Sequence, residues 1–215
     1  MARFDPAHVT PGGPPHRYDQ PGPLEVTKLS VGPFDNNAYL LADPDSGQAL
    51  LVDAANEAGR LLELLGGLRL AGVITTHRHA DHSAALVEVL QATGAWHGAH
   101  PADAEALPAA ADRLLGHGDR CAVGRAEVSI LHTPGHTPGS ICVRLPGEQL
   151  LSGDALFPGG VGRTSGRAAF AQAIASVERH VFTLPGGTRI SPGHGDDTTV
   201  AAEAPHLEEW KARGW

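Results

Sequence analysis

Residues 76–82 read Thr-His-Arg-His-Ala-Asp-His, three histidines and a carboxylate in one short run. Imidazole nitrogens and carboxylate oxygens ligate zinc, iron or manganese rather than calcium or magnesium. Three later stretches have the same character: His132-Thr133-Pro134-Gly135-His136-Thr137-Pro138-Gly139-Ser140, then Ser152-Gly153-Asp154, then Ser191-Pro192-Gly193-His194-Gly195. Singly, each has a plain reading as a solvated histidine pair, a turn or a helix cap. Together they place His or Asp beside Gly or Pro at the ends of successive predicted strands. Gly and Pro limit the entropy such loops lose and let the backbone approach a metal closely. Four strand ends converging on one sheet edge would build a metal site. Ser140, Ser152 and Cys142 lie beside candidate ligands but read as turn or strand residues, not nucleophiles.

The elements that must position these residues are legible from hydrophobic periodicity. Strands are predicted over 24–29, 37–42, 48–53, 70–75, 95–97, 141–145, 149–152 and 188–191. Residues 120–131 read as one or two strands with a turn near Gly124. Helices are predicted over 57–65, stopped by Gly66-Gly67, and over 83–92, 168–182 and 200–213. Trp210 and Trp215 are expected to anchor the last. Residues 101–119 read as a short helix and a surface loop. Mixed strands with helices outside imply layers with sheet inside, an α/β (α+β) class. The Pro- and Gly-rich residues 1–22 are expected to form a flexible tail or a strap over the surface. Residues 23–215 are expected to form one domain.

The net charge of −8 over 215 residues disfavours nucleic acid as a partner. No apolar run approaches the roughly 18 residues of a membrane span. The N-terminus lacks a charged-then-apolar signal pattern, so a cytoplasmic location is expected. Cys121 and Cys142 sit among strand-like residues and are expected to be buried free thiols. The 13 histidines are the one compositional excess.

Thr-His-X-His-X-Asp-His, the later Pro-Gly-His-Thr, the Gly-Asp at 153–154 and the Gly-His at 193–194 resemble the metallo-β-lactamase superfamily. Within it, HTPGHTPGS at 132–140 and GDALFPGGVGRT at 153–164 resemble the short, single-domain type of the glyoxalase II-like (hydroxyacylglutathione hydrolase-like) branch. The resemblance runs from about Val31 to Gly195. It implies an αββα sandwich with metals at one edge of the two sheets. It puts His77, His79 and His136 on a first metal, Asp81, His82 and His194 on a second, and Asp154 between them. His132 precedes a family ligand and is not one. His97, His100, His117, His180 and His206 match nothing and read as structural or surface residues.

The implied cofactors are two divalent ions, zinc first, with iron or manganese as alternatives. The implied reaction is hydrolysis of a small-molecule thioester of the S-lactoylglutathione type by a metal-bound hydroxide, with Asp81 orienting the nucleophile. Arg163 is read either as an anion contact for substrate or as a salt bridge pinning its loop. Residues 195–215 leave room for one helix, so the C-terminal helical domain that holds the thiol in full-length glyoxalase II enzymes is not expected. That leaves room for another low-molecular-weight thiol. The alternative is a persulfide dioxygenase of the same fold, with one iron on His77, His136 and Asp154, a 2-His-1-carboxylate set suited to dioxygen. Lactone or phosphodiester hydrolysis, or a non-catalytic metal-binding module, are lesser readings.

Overall fold

The structure is a computed structural model that describes residues 4–19 and 22–214. One sheet comprises β1 (His16–Arg17), β2 (Glu25–Val31), β3 (Asn36–Asp43), β4 (Gln48–Val52), β5 (Arg69–Ile74), β6 (Trp96–Ala99) and β7 (Arg113–Leu114), paired in that order. Neighbours are antiparallel from β1 to β4 and parallel from β4 to β7. The second sheet comprises β8 (Arg120–Val123), β9 (Ala126–His132), β10 (Ile141–Arg144), β11 (Gln149–Gly153), β12 (Arg189–Pro192) and β13 (Thr198–Thr199), ordered β13-β12-β11-β10-β9-β8. The helices are α1 (Ala58–Leu65), α2 (Leu86–Thr93), α3 (Pro101–Ala104), α4 (Arg167–His180), α5 (Val200–Glu203) and α6 (Leu207–Arg213).

Three apolar clusters define the layers. Val26, Leu41, Leu50 and Ile74 of the first sheet meet Val128, Ile130, Ile141 and Leu151 of the second in the central core. Leu40, Leu51 and Val73 face outward onto Leu61 of α1 and Leu86 and Val89 of α2. Cys142, Leu150 and Ile190 face outward onto Ile174 and Val177 of α4 and Trp210 of α6. This is the expected αββα sandwich. A strand covered on both faces loses its alternation. Every residue of β3 is buried, whereas the start of β2 still alternates.

Local chemistry also moved several boundaries. The expected helix over 200–213 is divided into α5, a 3-10 turn at Ala204–His206, and α6. Pro205 sits in that turn, with no N–H to continue an α-helix. The helix expected from residue 83 begins at Leu86. Ahead of it a 3-10 turn holds Ala80–His82, and the amides of Ala84 and Ala85 donate to Ala55 O and Ala54 O instead of into a helix. The short edge strands β1, β7 and β13 carry too few residues to show periodicity. The proline-rich N-terminal residues 4–19 make contacts with both sheets. Ala7, Val9 and Tyr18 are buried, the Asp197 amide donates to Pro6 O at 2.8 Å, and Tyr18 N donates to Val26 O at 3.0 Å. Trp215 lies outside the described residues.

Candidate metal centre

Four strand ends deliver the candidate ligands to one rim where the sheets meet. Residues 75–82 follow β5, residues 133–140 follow β9, Asp154 follows β11, and His194 follows β12. Backbone bonds tie the loops across the sheets: Ile141 N donates to Thr76 O at 2.9 Å, and Asn37 N to Gly193 O at 2.7 Å. Two glycines make the approach close enough. Gly153 has φ +47°, and a Cβ there would lie 2.8 Å from Thr76 Cβ. A Cβ on Gly193 would lie 2.3 Å from Asp154 Oδ1. Neither position accepts a side chain without displacing a neighbour.

The histidines and aspartates converge as two adjoining groups. In the first, His79 Nδ1 lies 3.0 Å from His77 Nε2 and 2.9 Å from His136 Nε2, and the last two are 3.3 Å apart. In the second, His82 Nε2 and His194 Nε2 are 3.0 Å apart, with Asp81 Oδ2 at 3.7 Å and 3.4 Å from them. Asp154 reaches both groups. Its Oδ1 is 3.3 Å from His82 Nε2, and its Oδ2 is 3.4 Å from His136 Nε2 and 3.5 Å from His194 Nε2.

The outward ring atoms fix what the inward ones can do. His82 Nδ1 donates to Asp53 Oδ2 at 2.9 Å, His136 Nδ1 to Arg163 O at 2.6 Å, and His194 Nδ1 to Phe34 O at 2.8 Å. Thr76 Oγ1 gives its proton to the Asp53 carboxylate at 2.8 Å, so it accepts from His77 Nδ1 at 3.1 Å. In its neutral form each of these four rings therefore turns a bare Nε2 lone pair inward. Lone pairs facing one another at about 3 Å repel unless a cation lies between them. Ligands about 2.0–2.1 Å from a tetrahedral ion stand about 3.3 Å apart, which matches the spacing seen. Asp154 Oδ1 is buried and has no hydrogen-bond partner, a costly state for a carboxylate oxygen away from a cation. The donor set fits two divalent ions.

Electrostatics agree. Burial, reinforced by the charge of His82, pushes His77 well below the usual histidine range. Burial also pulls His82 down, but the hydrogen bond and charge of Asp53 override it and raise the imidazole to about 9. A more basic imidazole is a stronger ligand. Burial pushes the Asp154 carboxyl up, yet the His194 hydrogen bond and the charges of His82 and His77 outweigh it and hold the group ionised.

Residues that the sequence did not single out orient this set. Asp53 directly follows β4 in a left-handed conformation, φ +61°, and accepts from Thr76 N, Thr76 Oγ1 and His82. A carboxylate straight after the apolar run Ala49–Val52 is the one signal that could have flagged it. Asn36 donates to Asp81 Oδ2 at 2.9 Å, with no sequence signal at all. Arg163 contributes its carbonyl to His136. Its side chain is exposed and makes no ion pair among the described residues. His97 is buried against Thr75 and Ala110 O, His100 stacks on His132, His117 pairs with His180, and His206 reaches Glu209.

Comparison with known proteins places this geometry. Residues 31–201 match the metallo-beta-lactamase superfamily. A hydroxyacylglutathione hydrolase of Fuscovulum blasticum is 42% identical over 163 residues, which cover 74% of this chain and 62% of that relative's length. Among solved structures, ETHE1 from Myxococcus xanthus superposes with a TM-score of 0.77 at 33% identity, covering 85% of this chain and 82% of that one. TTHA1623 in a di-iron-bound form superposes with a TM-score of 0.73 at 33% identity, covering 82% and 96%. Because the matched span holds every strand that delivers a side chain to the site, from β3 to β12, the chain belongs to the metallo-beta-lactamase superfamily.

Proposed function

We propose that the protein is a metal-dependent hydrolase of thioesters of the S-lactoylglutathione type, using two divalent ions, zinc first among them. The observation that carries the reading is Asp154, whose two oxygens reach both nitrogen groups. The hydroxyacylglutathione hydrolase relative supports the thioester class. When bound, two such ions lower the pKa of a water from about 15.7 towards about 7 and polarise a carbonyl oxygen.

This chain's residues supply the rest. His77, His79 and His136 would hold the first ion, and Asp81, His82 and His194 the second, with Asp154 between the two groups. Asp81, kept in place by Asn36, orients the attacking water. The nucleophile in this reading is water, because among the described residues beside the candidate ligands no side chain competes for the role. Burial pushes the Cys142 thiol up to about 12. Ser140 Oγ is engaged by Thr137, and Ser152 Oγ donates to Leu156 O. The exposed side chain of Arg163, whose carbonyl accepts from His136, is the anion contact for substrate in this reading.

A second reading, an iron-dependent persulfide dioxygenase, is favoured by one observation: two histidines and a carboxylate lie close together, with the His77 and His136 Nε2 atoms 3.3 Å apart and Asp154 Oδ2 at 3.4 Å from His136. One experiment separates the two. Purified protein is expected to carry about two metal equivalents and to hydrolyse S-lactoylglutathione. A single iron equivalent, with oxygen uptake on glutathione persulfide and no thioesterase activity, would overturn the first reading.

A further inference from the structure

We propose that Asp103, on the short helix α3, is the positioning residue that sets the gap between the two loops carrying His77, His79 and His136. It thereby governs binding at the first metal site and not at the second. The inference rests on the reading of those three histidines as ligands.

Asp103 is buried, and its carboxylate joins the two loops. Oδ2 accepts from Arg78 N at 3.1 Å, on the residue between His77 and His79. The same oxygen accepts from Thr137 Oγ1 at 2.5 Å, on the residue after His136. Oδ1 accepts from Gly139 N at 3.0 Å, and the Arg78 guanidinium lies 3.8 Å away. The approach needs a glycine, since a Cβ on Gly139 would lie 2.6 Å from Asp103 Cγ. The helix grips the second loop at another point too. His100, the residue that caps α3, stacks on His132 at 3.8 Å and 14°, and His132 Nε2 donates to Pro138 O at 2.9 Å.

Coordination tolerates little slack. A metal site demands ligand distances within about 0.2 Å of ideal. His136 comes from one loop, while His77 and His79 come from the other, so any widening between the loops removes His136 from the sphere. The second group has different supports. Asp53 holds His82, Asn36 holds Asp81, and Phe34 O holds His194. The buried Lys28–Asp197 pair lies beneath the His194 loop, with Lys28 Nζ donating to Gly195 O at 2.6 Å. Asp103 makes none of these contacts.

The test counts metal per full-length chain after equilibration with limiting zinc, with circular dichroism as the check on folding. Asp103→Ala is expected to fall from about two equivalents to about one, and His136→Ala to do the same. Combining Asp103→Ala with His136→Ala should give no further loss, whereas combining it with His194→Ala should leave almost none. Thr137→Val keeps the core carboxylate and removes only the two hydroxyl bonds, to Asp103 and to Ser140 within the same loop. It should weaken the first site about 10- to 100-fold and leave the second unchanged, and it serves if Asp103→Ala does not fold. Retention of two equivalents by both variants, or equal weakening of both sites, overturns the proposal while leaving the ligand reading intact. Two equivalents retained by His136→Ala sinks the ligand reading and the proposal with it.

Discussion

At the scale of single residues, the candidate centre depends on atoms that lie behind its inward-facing donors. Asp53 makes His82 basic and fixes its tautomer, and it does so from a left-handed backbone that suits Asp or Asn better than most residues. Asp53→Asn keeps size and backbone but removes the charge and turns an NH2 donor toward Thr76 N or toward Thr76 Oγ1 and His82 Nδ1. It should lower metal affinity at the second site about 10- to 100-fold, measured by competitive titration against a chelator; an unchanged affinity would mean that the charge of Asp53 is irrelevant. The cysteines make the opposite point. Burial raises both thiols, Cys142 to about 12, so the reactive thiolate is scarce near pH 8. Native protein should resist alkylation at that pH and react fully once unfolded, which mass spectrometry of the labelled chain would read directly.

Strand ends are the elements that build the site, and small residues decide how tightly they close. Gly193→Ala would drive a Cβ to 2.3 Å from Asp154 Oδ1 and 2.6 Å from His82 Cε1. Its φ is ordinary, so the cost is steric and confined to the junction between the two groups. Metal content should collapse at both sites while the circular dichroism of the folded chain persists; full loading of the variant would refute the placement. Gly72→Ala gives the contrast within β5. Its Cβ would meet the Trp96 ring at 2.1 Å, and its three nearest neighbours are all atoms of that ring. Overpacking of that kind costs about 1–3 kcal/mol, which should appear as a lowered Tm with metal binding unchanged.

Across the whole molecule, one buried polar network ties the N-terminal residues, both sheets and the His194 loop together. Lys28 of β2 and Asp197 are fully buried and 3.0 Å apart. Asp197 also accepts from Tyr18 at 2.9 Å, from Arg189 at 3.0 Å and from Ser191 at 3.1 Å. Breaking such a pair leaves a charge without compensation, at about 3–5 kcal/mol. Asp197→Asn should lower the unfolding free energy by that amount in a denaturant titration. A loss under about 1 kcal/mol would show that water or another group takes over the partner's place.

The sequence by itself determined the donor types, their order and their delivery by strand ends, because each ligand string is local and is flanked by Gly or Pro beside an apolar run. It also determined the layered class, through periodicities that each element carries alone. Only the tertiary structure decided which nitrogen meets which. His136 faces His77 across 59 residues, and His82 faces His194 across 112. The hydrogen-bond partners of Asp53, Asn36 and Asp103, and the contacts of residues 4–19 with Val26 and Asp197, likewise come only from there. Periodicity encodes which face of an element is buried; it does not encode the hydrogen-bond partner that waits on another strand.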